Sequence, residues 1–308
     1  MSFSGQVKTE LCKKPIQSQC CVRAACYGFA CFSRYFDHKG LVLHTERALI
    51  AQTAQKLLKR MGLKGDIVEK PRQAGTIYEF AIKDPFAVQK MLAEFGYTGL
   101  EPNLRLHQDI FECEQCFYHF LASAFLCSGI VADPAKEYSL EFVSNRRALL
   151  DDFTALLQQH GFEPRQTVRK GVGVVYFRAS EQVEDLLTAM GATNASLEVM
   201  QQKVYKDIRN KTNRITNCEN ANIDKIVAAA GTVSEAIAYL KQSGHYETLP
   251  ETLREIAQLR VDYPEYSLAE LGQLLQPPLS RAGVCHRMKK LTELAQAIAK
   301  KDGDQNNE

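Results

Sequence analysis

The chain has 308 residues, a formal net charge of +2 and a pI near 8.0, with 45% hydrophobic and 24% charged residues. That length accommodates two or three domains with cores of their own, at an ordinary globular composition. Binding to nucleic acid would have to come from local basic clusters rather than from the global charge. A membrane partner is excluded, because no apolar run approaches the roughly 18 residues that a span requires.

The opening stretch, MSFSGQVKTELCKK, lacks the basic-then-apolar layout of a signal peptide and reads as the first helix of a cytoplasmic protein. The ten cysteines are then expected as reduced thiols. Cys113-Glu-Gln-Cys116 with His119 invites a zinc reading, but tetrahedral zinc draws four ligands, usually from two paired knuckles, and no second CxxC exists. Cys20 and Cys21 are adjacent, and the other cysteines fall in apolar helical segments. The expectation is therefore buried small thiols, no metal and no cofactor.

From Cys20 to about Tyr97, and again from Cys116 to about Ala192, one unit occurs twice. Each copy opens on a small-residue helix, CCVRAACYGFACFSR and then CFYHFLASAFLCSG. A strand follows, GLVLHT (40–45) or YSLEFV (138–143), and then an amphipathic helix (46–62 or 146–161) ending at Gly62 or Gly161. Next comes a hairpin-like pair containing TIYEFAI (76–82) or GVVYFRA (173–179), and a short helix ending at Gly96 or Gly191. The repeat is α-β-α-β-β-α, an α+β architecture expected to pair about a pseudo-two-fold through its opening helices. The small residues Ala24, Ala25, Gly28 and Ala30, facing Ala122, Ser123, Ala124 and Gly129, would permit close approach. Two ordinary buried helices are the alternative.

Residues 197–221 read as a polar linker helix. Lys203, Lys206, Asn210, Asn213, Asn217 and Asn220 form one stripe, flanked by Arg209, Lys211 and Arg214. Asparagine is a poor helix former, so the stripe implies either contacts to DNA or amide docking onto neighbouring domains. From Ala221 the pattern is all helical. Ser267-Leu-Ala-Glu270 is a capping box opening a short helix, Gln276-Pro277-Pro278 stops it, and Ser280 caps a longer one. Ala269 and Gly272 are small enough for close crossing, and Leu253, Ile256, Ala257 and Leu259 on the preceding helix complete a core. This is the helix-turn-helix pattern. With Val284, Met288, Leu291, Ala295 and Ile298 as the buried seam, Arg281, Cys285, His286 and Lys289 become candidates for base edges, and Arg287 and Lys290 for phosphates. Arg169 and Lys170, in the second hairpin, are further backbone candidates. A basic helix in a protein-binding module is the competing reading.

LASAFLCSG (121–129) resembles the LAGLIDADG motif of homing endonucleases at Leu121, Ala122 and Gly129. The resemblance implies two motif helices packed at a domain interface, each ending in a metal-binding acid. Ser128 occupies that seat here, and Ser33 occupies it in the first copy, where Arg34 replaces the motif glycine. Hydroxyls cannot hold a hard divalent cation against water, and Asp37 and Asp133 lie in exit turns beyond the helix ends. Over nearly its whole length the chain resembles the WhiA family of bacterial transcription regulators, at CCVRAA (20–25), LEVMQQKVYKDIRNKTNRITNCENANIDK (197–225), LPETLREIAQLR (249–260) and SLAELGQLLQPPLSRAGVCHRMKKL (267–291). What this implies is a degenerate, non-enzymatic endonuclease scaffold joined to a DNA-binding helix-turn-helix. Double-stranded DNA is the expected partner, a protein partner on the duplicated domain a second one, and control of cell division, chromosome segregation and sporulation the expected role. The expected divisions are 1–110 and 111–196 for the repeats, 197–221 for the linker helix, 222–302 for the helix-turn-helix and 303–308 for a disordered tail.

Overall fold

The computed structural model describes residues 2–73 and 75–305. It divides into two compact units, one ending at Ile208 and the other beginning at Arg209. In the first, helix α1 (Phe3–Lys13) buries Phe3, Val7 and Leu11, spaced to share one face. The first repeat then runs α2 (Gln19–Phe32), β1 (Tyr35–Asp37), β2 (Gly40–Thr45), α3 (Ala48–Arg60), β3 (Asp66–Arg72), β4 (Gly75–Ile82) and α4 (Pro85–Glu94). The second runs α5 (Glu114–Ser128), β5 (Gly129–Val131), β6 (Leu140–Ser144), α6 (Arg147–Gln159), β7 (Arg165–Arg169), β8 (Val172–Phe177) and α7 (Ser180–Met190).

Both sheets are antiparallel with the same order, β1-β2-β4-β3 and β5-β6-β8-β7. The repeat is thus α-β-β-α-β-β-α, with one strand more than its sequence pattern predicts. The additional strands, β1 and β5, are three residues each and begin within three residues of a helix end. Three residues are too few to display alternation, so only pairing with β2 and β6 reveals them.

Helices α2 and α5 form the centre of the unit. Almost every residue from Cys21 to Phe32 is buried, as are Phe117, Phe120, Leu121, Ser123, Ala124 and Phe125. Their backbones meet at Gly28, where a Cβ would lie 2.5 Å from the Phe120 carbonyl oxygen and 2.9 Å from the Ser123 Cβ. Aromatic rings fill the rest. Phe32 packs edge-on against Phe153 at 5.0 Å, and Tyr27 lies 5.6 Å from Phe120. The Tyr27 hydroxyl is satisfied by the Tyr97 hydroxyl and the His107 amide, each at 2.7 Å.

Helix α8 spans Thr193–Gln242, so the expected divisions at 196/197 and 221/222 and the boundary of the compact units at 208/209 all fall within one continuous helix. Its apolar residues Leu197, Val204, Ile208 and Ile215 are exposed. The second unit contains α9 (Glu251–Asp262), α10 (Leu268–Leu274) and α11 (Arg281–Gln305). Its core combines Ile237, Leu240, Leu253, Ile256, Ala257, Leu271, Val284, Met288, Leu291 and Ala295. Ser267 and Glu270 cap each other's backbone amides at the start of α10. Gly272 is the tight point, since a Cβ there would lie 2.2 Å from the Leu279 carbonyl oxygen. Ala269, expected beside it, is exposed. Helix α11 continues through residues 303–305, the first half of the expected disordered tail, and residues 306–308 lie outside the described residues.

Two outcomes test this packing. Gly28→Val should destabilise the first unit by about 1–3 kcal/mol through overpacking, read from urea unfolding. Ser267→Ala should remove about 1 kcal/mol from the second unit alone.

Candidate nucleic-acid interface

Two places could carry function: the helix ends where the motif seats its acids, and the exposed side of α11. At the first, both serine hydroxyls turn back onto their own helices. Ser33 Oγ lies 2.8 Å from the carbonyl oxygens of Ala30 and Tyr35, and Ser128 Oγ donates to the Ala124 carbonyl at 2.9 Å. Cations then approach the exposed carbonyl ends, where a helix carries its partial negative charge. Arg146, from the opposite repeat, donates to the carbonyls of Cys31 at 2.5 Å and Ser33 at 3.0 Å. Lys8 donates to the Leu126 carbonyl at 3.3 Å at the end of α5. Burial draws both cations below their ordinary pKa values.

The cleft between these ends, about 570 Å3, is lined by Lys8, Arg34, His44 and Arg146 together with both serines, and no carboxylate among the described residues lines it. Asp37 accepts from the Lys39 amide at 2.7 Å and Asp133 from the Ala135 amide at 2.9 Å, so each serves a turn outside the cleft. Lys8 and Arg146 are residues that sequence reading misses. Each reaches a helix end remote in the chain, and neither belongs to a motif.

On the sheets, charges are already paired. Glu79 is held below the usual carboxylate range by hydrogen bonds from Lys70 and His44, at 2.6 and 2.7 Å. Arg169, expected to reach a DNA backbone, forms a two-armed pair with Glu141 at 2.8 and 2.9 Å. Lys170 stands exposed at the tip of the β7–β8 turn.

Ser280 caps α11, its Oγ accepting from the Gly283 amide at 3.3 Å. Val284, Met288, Leu291 and Ala295 face the core, and Ile298 is partly buried beside it. Cys285, His286 and Lys289 are exposed away from that seam, and Arg281 and Lys290 are exposed at its margins. Lys289 lies 3.7 Å from Glu293, an exposed pair of the kind that contributes little and does not restrain the lysine. Arg287 departs from expectation. It is half-buried at the other margin of the helix and donates to the Thr252 carbonyl at 3.3 Å, bracing α11 against α9. On α8, Arg209, Asn210, Asn213, Arg214 and Asn217 are exposed. The N-terminal members of that stripe are docked in the first unit, Lys203 pairing with Glu181 and Lys206 donating to the Pro134 carbonyl at 2.7 Å.

The cysteines depart from the sequence reading as well. Cys113 is exposed and Cys20 half-buried, and the missing complement to the Cys113–Cys116 pair comes from Cys20 and Cys21 of the other repeat.

Comparison with known proteins agrees with this architecture. Residues 117–209 match the WhiA LAGLIDADG-like domain and residues 212–295 the WhiA C-terminal HTH domain. The chain is 37% identical to "Probable cell division protein WhiA" of Desulforudis audaxviator, covering 97% of this chain and 98% of that protein. It is 31% identical to the protein of the same name from Clostridium botulinum strain Hall, covering 97% and 99%. Among solved structures, full-length DUF199/WhiA from Thermatoga maritima superposes with a TM-score of 0.58 at 19% identity, over 96% of this chain and 99% of that one. A duplicated LAGLIDADG-like domain, a C-terminal helix-turn-helix and relatives above 30% identity along the whole length make this chain a member of the WhiA family.

Proposed function

We propose that this protein is a sequence-specific transcription regulator that binds double-stranded DNA in the cytoplasm, through its helix-turn-helix, and has no nuclease activity. The observation that carries this reading is the exposed side of α11, where Arg281, Cys285, His286, Lys289 and Lys290 stand unburied behind a Ser280 cap. An N-terminal arginine on a recognition helix has the reach and the two-pronged geometry to read guanine in the major groove. Lys290 supplies phosphate contact. Arg209, Asn210, Asn213, Arg214 and Asn217 offer further phosphate or base-edge contacts from α8.

The loss of cutting is supported by charge as well as by missing acids. A divalent ion in the cleft between α2 and α5 would have cations where the nuclease motif has carboxylates. A divalent ion and a unit positive charge about 4 Å apart repel by on the order of 8 kcal/mol at an effective dielectric of about 20. The names of the relatives support a role in cell division, which we extend to chromosome segregation and, in spore formers, sporulation. The duplicated domain is assigned a protein partner. Its sheets expose Tyr35, Val68, Ile130 and Val168, while their Glu79 and Glu141 networks absorb several nearby cations. No helix among the described residues is long and apolar enough to cross a membrane.

Immunoprecipitation of crosslinked DNA with sequencing, repeated with Arg281→Ala plus Lys289→Ala, should show discrete sites that vanish in the variant. In titrations on one such site, Arg281→Ala should cost about 1–3 kcal/mol of discrimination. Lys290→Ala should lower the slope of log K against log salt by about 0.9. Binding that is flat across salt and indifferent to these changes would favour a protein scaffold. Supercoiled plasmid incubated with the protein and magnesium should remain intact, and nicking abolished by Asp37→Ala or Asp133→Ala would defeat the non-enzymatic reading.

A further inference from the structure

The fold brings four thiols together from two places more than ninety residues apart. Cys20 and Cys21 lie in the first turn of α2, Cys113 is the N-cap of α5, and Cys116 lies in its first turn. Cys113 Sγ lies 3.7 Å from the sulfurs of both Cys20 and Cys21 and 3.5 Å from that of Cys116, and all four sulfurs fall within 4.8 Å of one another. A tetrahedral zinc ion with bonds of about 2.3 Å sets its four sulfurs about 3.8 Å apart. The spacing is thus that of a ligand shell around one ion. An iron–sulfur cluster carries its cysteines on the outside of a core of several atoms and holds them further apart.

We propose that Cys20, Cys21, Cys113 and Cys116 bind a single zinc ion through four thiolates, pinning together the N-terminal ends of the two central helices. Two further features suit the site to this ion. Both helices direct their N-termini at it, where free amides and the partial positive charge favour thiolate over thiol. Ser18, the N-cap of α2, makes no capping hydrogen bond with its side chain, and its hydroxyl lies 3.0 Å from Cys20 Sγ, placed to donate to a metal-bound sulfur. The soft donor set selects zinc over magnesium or calcium. The ion would sit at the end of the helix pair remote from Ser33 and Ser128, and it would be structural, since four protein ligands leave no open position for substrate.

The test uses the full-length protein, stripped with chelator under reductant and titrated with cobalt(II) alone. One equivalent should bind, giving thiolate-to-cobalt charge transfer and the intense visible bands of a tetrahedral four-sulfur site, and one equivalent of zinc should displace it. Cys113→Ser, an isosteric change at an exposed position, should lose the four-thiolate spectrum while its circular dichroism stays unchanged. Cys218→Ser, at an exposed cysteine outside the cluster, should retain it. Zinc should raise Tm in the parent protein and not in Cys113→Ser. The proposal is overturned if the reduced protein takes up no stoichiometric cobalt, if Cys113→Ser gives the parent spectrum, or if protein as purified shows iron–sulfur absorption or a disulfide among these four cysteines.

Discussion

Helices α2 and α5 approach so closely at Gly28 that the backbone of one touches the backbone of the other. A Cβ at that position would fall 2.5 Å from the Phe120 carbonyl oxygen, which is inside any tolerable contact. Glycine opposite serine and alanine lets the two backbones serve as one shared core element. Each sheet then wraps its own helix, and the cleft between the helix ends takes its size and lining from their separation. A larger residue would spread the pair and, with it, everything placed at either end. Small residues here supply proximity, and proximity is what gives the ends of the helices their chemistry.

The two ends of that pair have opposite electrostatic character. At the C-terminal ends, carbonyls point into the cleft and are met by Arg146 and Lys8. In a nuclease of this fold a carboxylate and a metal ion would occupy the same region. Here a guanidinium and an ammonium supply positive charge directly, covalently attached to the chain. Loss of catalytic acids alone would leave the helix ends open to water or to adventitious ions. With Arg146 and Lys8 in place, each helix end is tied by hydrogen bonds to an element remote in the chain. The N-terminal ends present amides and gather four cysteines, a set of donors with the opposite preference. A soft cation bound there would hold the pair at its second end.

The other unit, which matches the WhiA C-terminal HTH domain, is held together by a different route. Its core is small, and the turn between α10 and α11 is fixed by Gly272 under the Leu279 carbonyl and by the Ser267–Glu270 and Ser280 caps. Those contacts set the first turn of α11, and with it the direction of Arg281 and Cys285. Arg287, on the far margin, is used to brace α11 against α9. The cationic residues of this helix thus differ in burial, Arg287 half-buried and bonded while Arg281, Lys289 and Lys290 are exposed.

Periodicity and local capping made much of this legible from the residues alone: the duplication, the amphipathic helices α3 and α6, the strands β2 and β4, the capping box at Ser267 and the seam of α11. These features depend on neighbours within a few residues, which is the range over which a sequence carries its own evidence. The seats of Ser33 and Ser128 were legible too, because the motif around them is local. What only the tertiary structure decided were contacts closed across the chain. Arg169 spends its charge on Glu141, Arg146 caps a helix in the opposite repeat, and β1 and β5 exist only through their partners. The cysteines show the difference most directly. Two pairs, each insufficient alone and more than ninety residues apart, become one set of four only when α2 and α5 lie side by side, because spacing along a chain records distance within a helix and says nothing of distance between two.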